Sequence, residues 1–144
     1  MVEAERSVRK ILVGYDGSDQ VARALDFAIT IAAQSGGAEI HIAFVVQKPG
    51  GAPDPVPEEV MDSLKAAARE ELLDAGRRVT KSLATPVIHL ETGNPAERLL
   101  ELADRVKPDL VILGTLQHSA SERLLGTVSS FFLKSRRYPL LIVP

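Results

Sequence analysis

The sequence contains no cysteine, and this absence removes several function classes at once. Disulfide scaffolds, thiol catalysis and cysteine-ligated zinc sites are excluded, and the composition fits a reducing compartment. The first ten residues are mostly charged and polar, without the apolar core of a secretion signal. No stretch approaches the roughly 18 apolar residues that a membrane span needs. We therefore predict a cytoplasmic protein with no membrane insertion.

Recognisable catalytic motifs are missing as well. The sequence has no Walker A loop, no GxGxxG turn, no HExxH pair and no nucleophile elbow. Its three histidines, His41, His89 and His118, lack the spacing of a metal site, and we expect packing or hydrogen bonding from His41 and His89. The net charge of −2 provides no field that would attract nucleic acid. We expect no catalytic residue, no metal and no nucleic-acid partner.

What the sequence does contain is the pattern of an alternating α/β domain. Its 144 residues, 45% hydrophobic and 25% charged, fit one globular domain over residues 1–144. Short runs of branched apolar residues predict strands, and apolar residues at helical spacing predict helices between them. On this basis we predict strands at 10–14, 39–46, 86–91, 110–114 and 140–143, and helices at 19–35, 58–79, 95–106 and 127–136.

Three local signals sharpen this prediction. Asn94 followed by Pro95 and Glu97 is a helix N-cap sequence, and Gly36-Gly37 is a helix stop. Apolar residues from Val60 to Val79, including Leu64, Ala67 and Leu72, predict one buried face on the second helix. Segment 47–57 holds four of the nine prolines, which predicts a mobile surface loop without regular structure.

Strands that alternate with helices, each strand nearly continuous in apolar residues, indicate a parallel sheet covered on both faces. Ligands of such open sheets bind beyond the carboxyl ends of the strands, where the strand order reverses. The loops after strands one and four therefore become the candidate site. They carry Asp16-Gly17-Ser18 and Gly114-Thr115.

The segment from Leu113 to Ser130 contains a strand end, a polar loop and then Gly126-Thr127 at the start of a helix. Free amides at a helix start, together with the positive end of its dipole, suit a phosphate group, and Thr127, Ser129 and Ser130 add hydroxyls. The alternative is that Gly126 is a turn glycine and the hydroxyls only cap the helix. Motif shape leaves both interpretations open.

Asp16 also has more than one possible role. A carboxylate after the first strand can bind a ribose hydroxyl, hold a metal, accept a phosphoryl group or bond its own backbone in a turn. Its neighbours Tyr15, Gly17 and Ser18 are not acidic, which argues against the magnesium site of a phosphoacceptor. The ribose and turn roles remain.

Several segments together resemble one protein family. They are ILVGYDGS at the first strand, the Gly93-Asn94-Pro95-Ala96 turn, PDLVILGT, LLGTVSSFFL and the closing YPLLIVP, and they are similar in order and spacing to universal stress proteins over nearly the whole chain. The resemblance implies a five-stranded parallel sheet of order 3-2-1-4-5 with helices on both faces. It also implies a homodimer and a role in stress response or regulation.

Nucleotide-binding members of that family carry G-x-x-G-x9-G-[S/T] after the fourth strand, an aspartate after the first and an adenine contact on the second. The resemblance thus implies ATP or AMP as ligand, with magnesium accompanying ATP and slow hydrolysis at most. Two departures stand out: Gln117 replaces the second glycine, and the spacing from Gly114 to Gly126 is one residue short. By the same carry-over, the nucleotide-binding residues are Gly14, Asp16, Val45, Gly114, Thr115, Gly126, Thr127 and Val128.

The sequence leaves three possible functions. The first is a dimeric regulatory module that binds ATP or AMP between strands one and four, and the second is a nucleotide-free module that acts through protein contacts. The third, an adenylate-chemistry enzyme, is disfavoured because no HxGH signature is present. For the dimer, the terminal strand 140–143 lies at a sheet edge between Pro139 and Pro144, which favours closed antiparallel pairing with a second copy. The alternative is a monomer whose last strand is covered by its own chain.

Overall fold

A computed structural model describes residues 7–14, 19–49, 54–114 and 127–144, with the backbone alone for Asp19, Gln20 and Thr127. Strands and helices alternate throughout these residues, as the sequence predicts. The elements are β1 (Lys10–Gly14), α1 (Asp19–Gln34), β2 (Glu39–Val46), α2 (Glu58–Thr80), β3 (Thr85–Thr92), α3 (Pro95–Val106), β4 (Leu110–Gly114), α4 (Thr127–Ser135) and β5 (Leu140–Val143).

The five strands form one sheet of order β3-β2-β1-β4-β5, and every neighbouring pair is parallel. The strand order that the family resemblance implies is therefore confirmed. Helices α1 and α2 pack on one face through a core that includes Ile11, Leu25 and Leu72. Helices α3 and α4 pack on the other face around Leu12, Leu102 and Phe132. Burial on both faces explains why the strands are apolar at nearly every position.

Strand β3 extends one residue beyond each end of the predicted range 86–91, and Pro86 lies within it. The Thr85 N–H donates to the carbonyl oxygen of Ala38 at 2.9 Å, so Thr85 faces β2 and Pro86 faces the open edge. A proline at an open edge removes no ladder hydrogen bond. The strand therefore begins at Thr85 and runs to Thr92.

Only the second half of α2 has the buried face that the apolar pattern predicts. Its buried residues begin at Ala68, whereas Ala67 is exposed and Val60 is 40% exposed. The helix has 23 residues and is about 34 Å long, whereas an eight-residue strand is about 26 Å long, so the helix is longer than the sheet beneath it. Because α2 follows the carboxyl end of β2, the surplus projects beyond that edge of the sheet.

The predicted helix signals operate as expected. The Asn94 Oδ1 accepts a hydrogen bond from the Glu97 N–H at 3.1 Å, with Pro95 in the first helical turn. After α1, Gly36 and Gly37 have φ of 79° and 110°, which glycine adopts without strain. The prediction of a mobile loop at 47–57 remains untested, since residues 50–53 lie outside the described part.

Candidate functional site

The candidate site begins where β1 and β4 separate at the carboxyl edge of the sheet. Pairing between β1 and β4 ends at Val13↔Ile112. Each strand nevertheless continues along its other neighbour, β1 to Gly14↔Ala43 and β4 to Gly114↔Val143. The two strands thus diverge at the point where the strand order reverses, which is the position of ligand crevices in open α/β sheets.

Gly14, which the sequence assigns to the site, lies at the floor of this crevice. A Cβ atom at Gly14 would lie 2.9 Å from Leu113 Cδ2 and 3.3 Å from Leu99 Cδ1, closer than packed carbon atoms tolerate. The glycine is therefore needed to let these leucines close the core beneath the crevice. Its conformational freedom is not the reason, because its φ is not positive.

Val45 presents backbone groups to the crevice. The Glu39 N–H of β2 donates to the carbonyl oxygen of Arg9, just before β1, at 2.9 Å. Alternate residues of a strand direct their backbone groups to the same side, so the N–H and C=O of Val45 also point toward the β1 side. Pairing with β1 among the described residues stops at Ala43, two residues earlier. The Val45 N–H and C=O therefore lie beyond the described end of β1, where a flat ligand with one donor and one acceptor could pair with them.

The start of α4 lies on the same side of the sheet as Val45. Val128 and Val45 are both partly buried and both pack against the cluster that contains Leu99 and Leu113. Ser129 is 2% exposed, so only Ser130, of the two serines that the sequence places there, is partly open to solvent. The structure thus brings Gly14, Val45 and Val128 to one apolar surface, with Gly114 at the end of the neighbouring strand.

The remaining predicted site residues lie outside the described part of the chain. They are Asp16, Thr115 and Gly126, together with the polar loop residues Gln117, His118 and Arg123. Thr127 is the first residue of α4, and its backbone alone is described. Their assignment to a nucleotide site stays a prediction.

Shifted pKa values cluster away from this crevice. At the amino-terminal edge of the sheet, the Tyr138 Oη donates to Asp104 Oδ1 at 2.6 Å and Arg137 Nη1 donates to Oδ2 at 2.7 Å. The pKa of Asp104 is lowered by these two hydrogen bonds, and the bond from Tyr138 has the larger effect. Burial and the hydrogen bond to Asp104 raise the pKa of Tyr138 to about 12. Among the described residues, then, the crevice edge holds no carboxylate or imidazole with a shifted pKa to serve as an acid or base.

The described ranges contain neither a metal-binding cluster nor a membrane-spanning helix. Within them, no group of three or more histidine and acidic side chains has the geometry of a metal site. The helices of those ranges also include none of the length and apolar character that crossing a membrane requires.

One contact at the crevice edge was not anticipated from the sequence. The Gly93 N–H donates to the carbonyl oxygen of Val46 at 3.0 Å, so the turn that opens α3 is fastened to the end of β2 beside Val45. The sequence showed Gly93 as part of a turn before Asn94. The bond itself joins residues 47 positions apart, so only the pairing of β2 with β3 reveals it.

Comparison with known proteins agrees with this geometry. A universal stress protein of Methanocaldococcus jannaschii is 31% identical over 144 residues, covering 96% of this chain and 84% of the relative. The structure of UspA from Lactobacillus plantarum superimposes with a TM-score of 0.84 at 22% identity and covers 97% of this chain and 100% of its own. A universal stress protein solved in complex with cAMP is 29% identical, with a TM-score of 0.65 and coverage of 96% and 98%.

The family model described as the universal stress protein family matches residues 7–144. That range spans the sheet, the diverging strands and the helices on both faces. The chain belongs to the universal stress protein family.

Proposed function

We propose that this protein is a cytoplasmic stress-response or regulatory module, one domain over residues 1–144, that binds an adenine nucleotide beyond the end of β1. The observation that carries the proposal is the backbone of Val45. Its N–H and C=O face the crevice past the last described β1–β2 pair, Gly14↔Ala43. An adenine edge offers one hydrogen-bond donor beside one acceptor, which matches such a backbone pair.

The surroundings of Val45 fit a nucleotide in two further respects. Its side chain and that of Val128 contribute to one apolar surface, which suits the flat face of a base. The α4 helix starts at Thr127, so its first amides are the natural donors for a phosphate. In this arrangement Asp16 would bind the ribose, and Gly114, Thr115 and Gly126 would let the backbone approach the phosphates.

The relative solved with cAMP supports an adenine nucleotide as the ligand class. We propose ATP or AMP, with Mg²⁺ accompanying ATP. The residues of this chain would bind and orient the nucleotide. As the family resemblance implies, we propose slow hydrolysis of ATP at most.

A second function rests on a specific observation in the sequence. Gln117 stands where nucleotide-binding members have the second glycine, and the loop is one residue shorter. A side chain there would obstruct the wrapping of the backbone around phosphates. In that case the protein acts without nucleotide, through protein contacts.

Isothermal titration calorimetry with ATP, AMP and cAMP, each with and without Mg²⁺, distinguishes the two functions. Binding heat that is lost in Gly126→Val, together with a nucleotide-dependent rise of the melting temperature in thermal unfolding, supports the nucleotide module. A Gln117→Gly variant that binds more tightly would identify Gln117 as the obstruction. No heat with any of the three nucleotides at millimolar concentration would reject nucleotide binding and leave the protein-contact function.

A further inference from the structure

Two histidines on neighbouring strands are hydrogen-bonded to each other on one face of the sheet. The Nδ1 of His41 on β2 lies 2.9 Å from the Nε2 of His89 on β3. The other ring nitrogen of His41, Nε2, lies 2.9 Å from Glu39 Oε1. His41 is 8% exposed, so water does not readily replace these partners. A continuous row, Glu39–His41–His89, therefore joins β2 to the edge strand β3.

The two rings meet edge to edge. Their centroids are 5.1 Å apart and their planes differ by 17°. That centroid distance is about the 2.9 Å N···N separation plus one ring radius at each end, so the nitrogens point at each other nearly in the ring plane. The two nitrogens therefore share one proton position on the line between them. A metal ion would need both lone pairs to point to one side of that line, and here they point along it.

The number of protons that this row can hold is limited. With Glu39 ionised, the His41 Nε2–H donates to its carboxylate, and one further proton lies between His41 Nδ1 and His89 Nε2. A first additional proton is accepted on the outer Nδ1 of His89 without breaking either bond. A second would place an N–H on both facing nitrogens. Two donors 2.9 Å apart cannot bond, and the two imidazolium charges repel.

The neighbouring charges act on both ends of the row. Glu39 faces Lys10 of β1 and is held ionised, since the hydrogen bond from His41 lowers its pKa. Beside His89 lie Glu91 of β3 and Arg105 of α3, which are paired with each other. Burial is the main cause that lowers the pKa of His89, followed by the charge of His41 and, against it, Glu91. Burial and Arg105 thus disfavour the first charge, which forms on His89, and repulsion from that charge further disfavours a second charge on His41.

We propose that His41 and His89 form an acid-responsive latch that fastens the edge strand β3 to β2, holds through the uptake of one proton and opens on the uptake of a second. The latch is independent of the proposed nucleotide function, because its residues do not contribute to the crevice. When it opens, β3 loses a side-chain bond to its described neighbour, β2. Acidification would therefore loosen this edge of the sheet first.

The direction of the pH dependence follows from linkage. Unfolded histidines titrate independently near pH 6.5, whereas the folded pair refuses the second proton until lower pH. The stabilising contribution is therefore complete above about pH 6.5 and is lost as pH falls through the folded pKa values. Over that interval the unfolding equilibrium constant should rise by up to about tenfold per pH unit for each proton that only the unfolded chain accepts.

The test combines histidine NMR with hydrogen exchange on the full chain. We expect the ring signals of both histidines to change together as the row takes up protons, because the two rings share one proton, and we expect the pKa of His89 to lie below the ordinary histidine value. The protection factors of β3 amides, which are exchange rates corrected for the intrinsic effect of pH, should fall as the row takes up its second proton. Ring signals that change independently of each other near pH 6.5, with β3 protection factors unchanged, would overturn the latch.

Variants provide a second, thermodynamic test. His89→Gln can offer its amide N–H to neutral His41 or, after the amide turns over, its carbonyl oxygen to the Nδ1–H of protonated His41. The clash between two donors is then removed, so the acid-dependent rise in the unfolding constant should shrink by up to about tenfold per pH unit. The matched control is His118→Gln, which should leave the rise unchanged because His118 is not part of the row. Equal pH profiles for wild type and His89→Gln would contradict the proposal, whatever the stability at neutral pH.

Discussion

The Gly93 N–H donates a hydrogen bond to the carbonyl oxygen of Val46, with N and O 3.0 Å apart, and Gly93 has a φ of 128°. Residues other than glycine rarely adopt that φ, and a Cβ at Gly93 would lie 3.4 Å from three atoms of the Arg98 side chain. A glycine is thus required where the turn before α3 fastens to the end of β2. Because Val45 precedes the bonded residue, this turn also holds the proposed adenine contact in place.

From this geometry we expect Gly93→Ala to destabilise the protein by about 1–3 kcal/mol, through backbone strain at positive φ. The matched variant is Gly76→Ala in α2, where a Cβ would make ordinary contacts at 3.6 Å with Ile88 and 3.9 Å with Pro86. There alanine should be neutral or stabilise by about 0.5–1 kcal/mol, since it reduces the entropy of the unfolded chain. Urea denaturation measures both changes.

The two alanine variants should therefore shift the urea midpoint in opposite directions. If Gly93→Ala proved as stable as wild type, the strained φ and the bond to Val46 would not describe the molecule in solution. A large loss in Gly76→Ala would instead show that α2 lies closer to β3 than the structure has it.

The hydroxyl of Tyr138 should make the protein sensitive to alkali. Burial, with the hydrogen bond to Asp104, raises its folded pKa to about 12 from an ordinary value of 10.0. A raised folded pKa contributes stability that is complete below about pH 10 and is lost as pH rises toward 12. We expect the wild-type protein to lose stability over this range and Tyr138→Phe to lose less.

Tyrosinate absorbance in the near ultraviolet provides the second measurement. The chain has two tyrosines, so the step near pH 12 should disappear in Tyr138→Phe and persist in the control variant Tyr15→Phe. If the late step had the same amplitude in wild type and in Tyr138→Phe, Tyr138 would not titrate late, and the bond to Asp104 would not be maintained in solution.

The proposed homodimer depends on the outer edge of β5. The Val111 N–H of β4 donates to the carbonyl oxygen of Pro139 at 2.9 Å. The backbone groups of Pro139 and Leu141 therefore point toward β4, and those of the alternate residues Leu140 and Ile142 point outward. Antiparallel pairing of two such edges would satisfy these outward groups. Ile142→Pro removes an outward N–H without removing a bond to β4, so it should yield a folded monomer.

Light scattering on a size-exclusion column at tens of micromolar reports the mass directly. Wild type and Ile142→Ala, which keeps the N–H, should both elute at twice the chain mass of 15.5 kDa. Ile142→Pro should elute at the chain mass with an unchanged circular dichroism spectrum. A monomeric wild type would refute the dimer, and a dimeric Ile142→Pro would exclude this edge as the interface.

The sequence by itself determined the elements of this protein. Strands of branched apolar residues, the Asn94 cap and the Gly36-Gly37 stop act over a few residues, so each was readable from local spacing. Alternation of strands and helices then indicated a parallel sheet, and the family motifs supplied its strand order, which the structure confirms. Where local reasoning erred, at the first residue of β3 and in the first half of α2, the missing information was which neighbour each residue faces.

The tertiary structure decided what depends on distant residues. Parallel pairing places Gly93 against Val46 and His89 beside His41, although 47 and 48 positions separate them in the chain. The separation of β1 from β4, and the orientation of Val45 past the described end of β1, follow from strand register, which no local pattern encodes. Side-chain type is a property of the sequence, but proximity and hydrogen-bond direction arise only when strands pair, and both the proposed site and the latch depend on them.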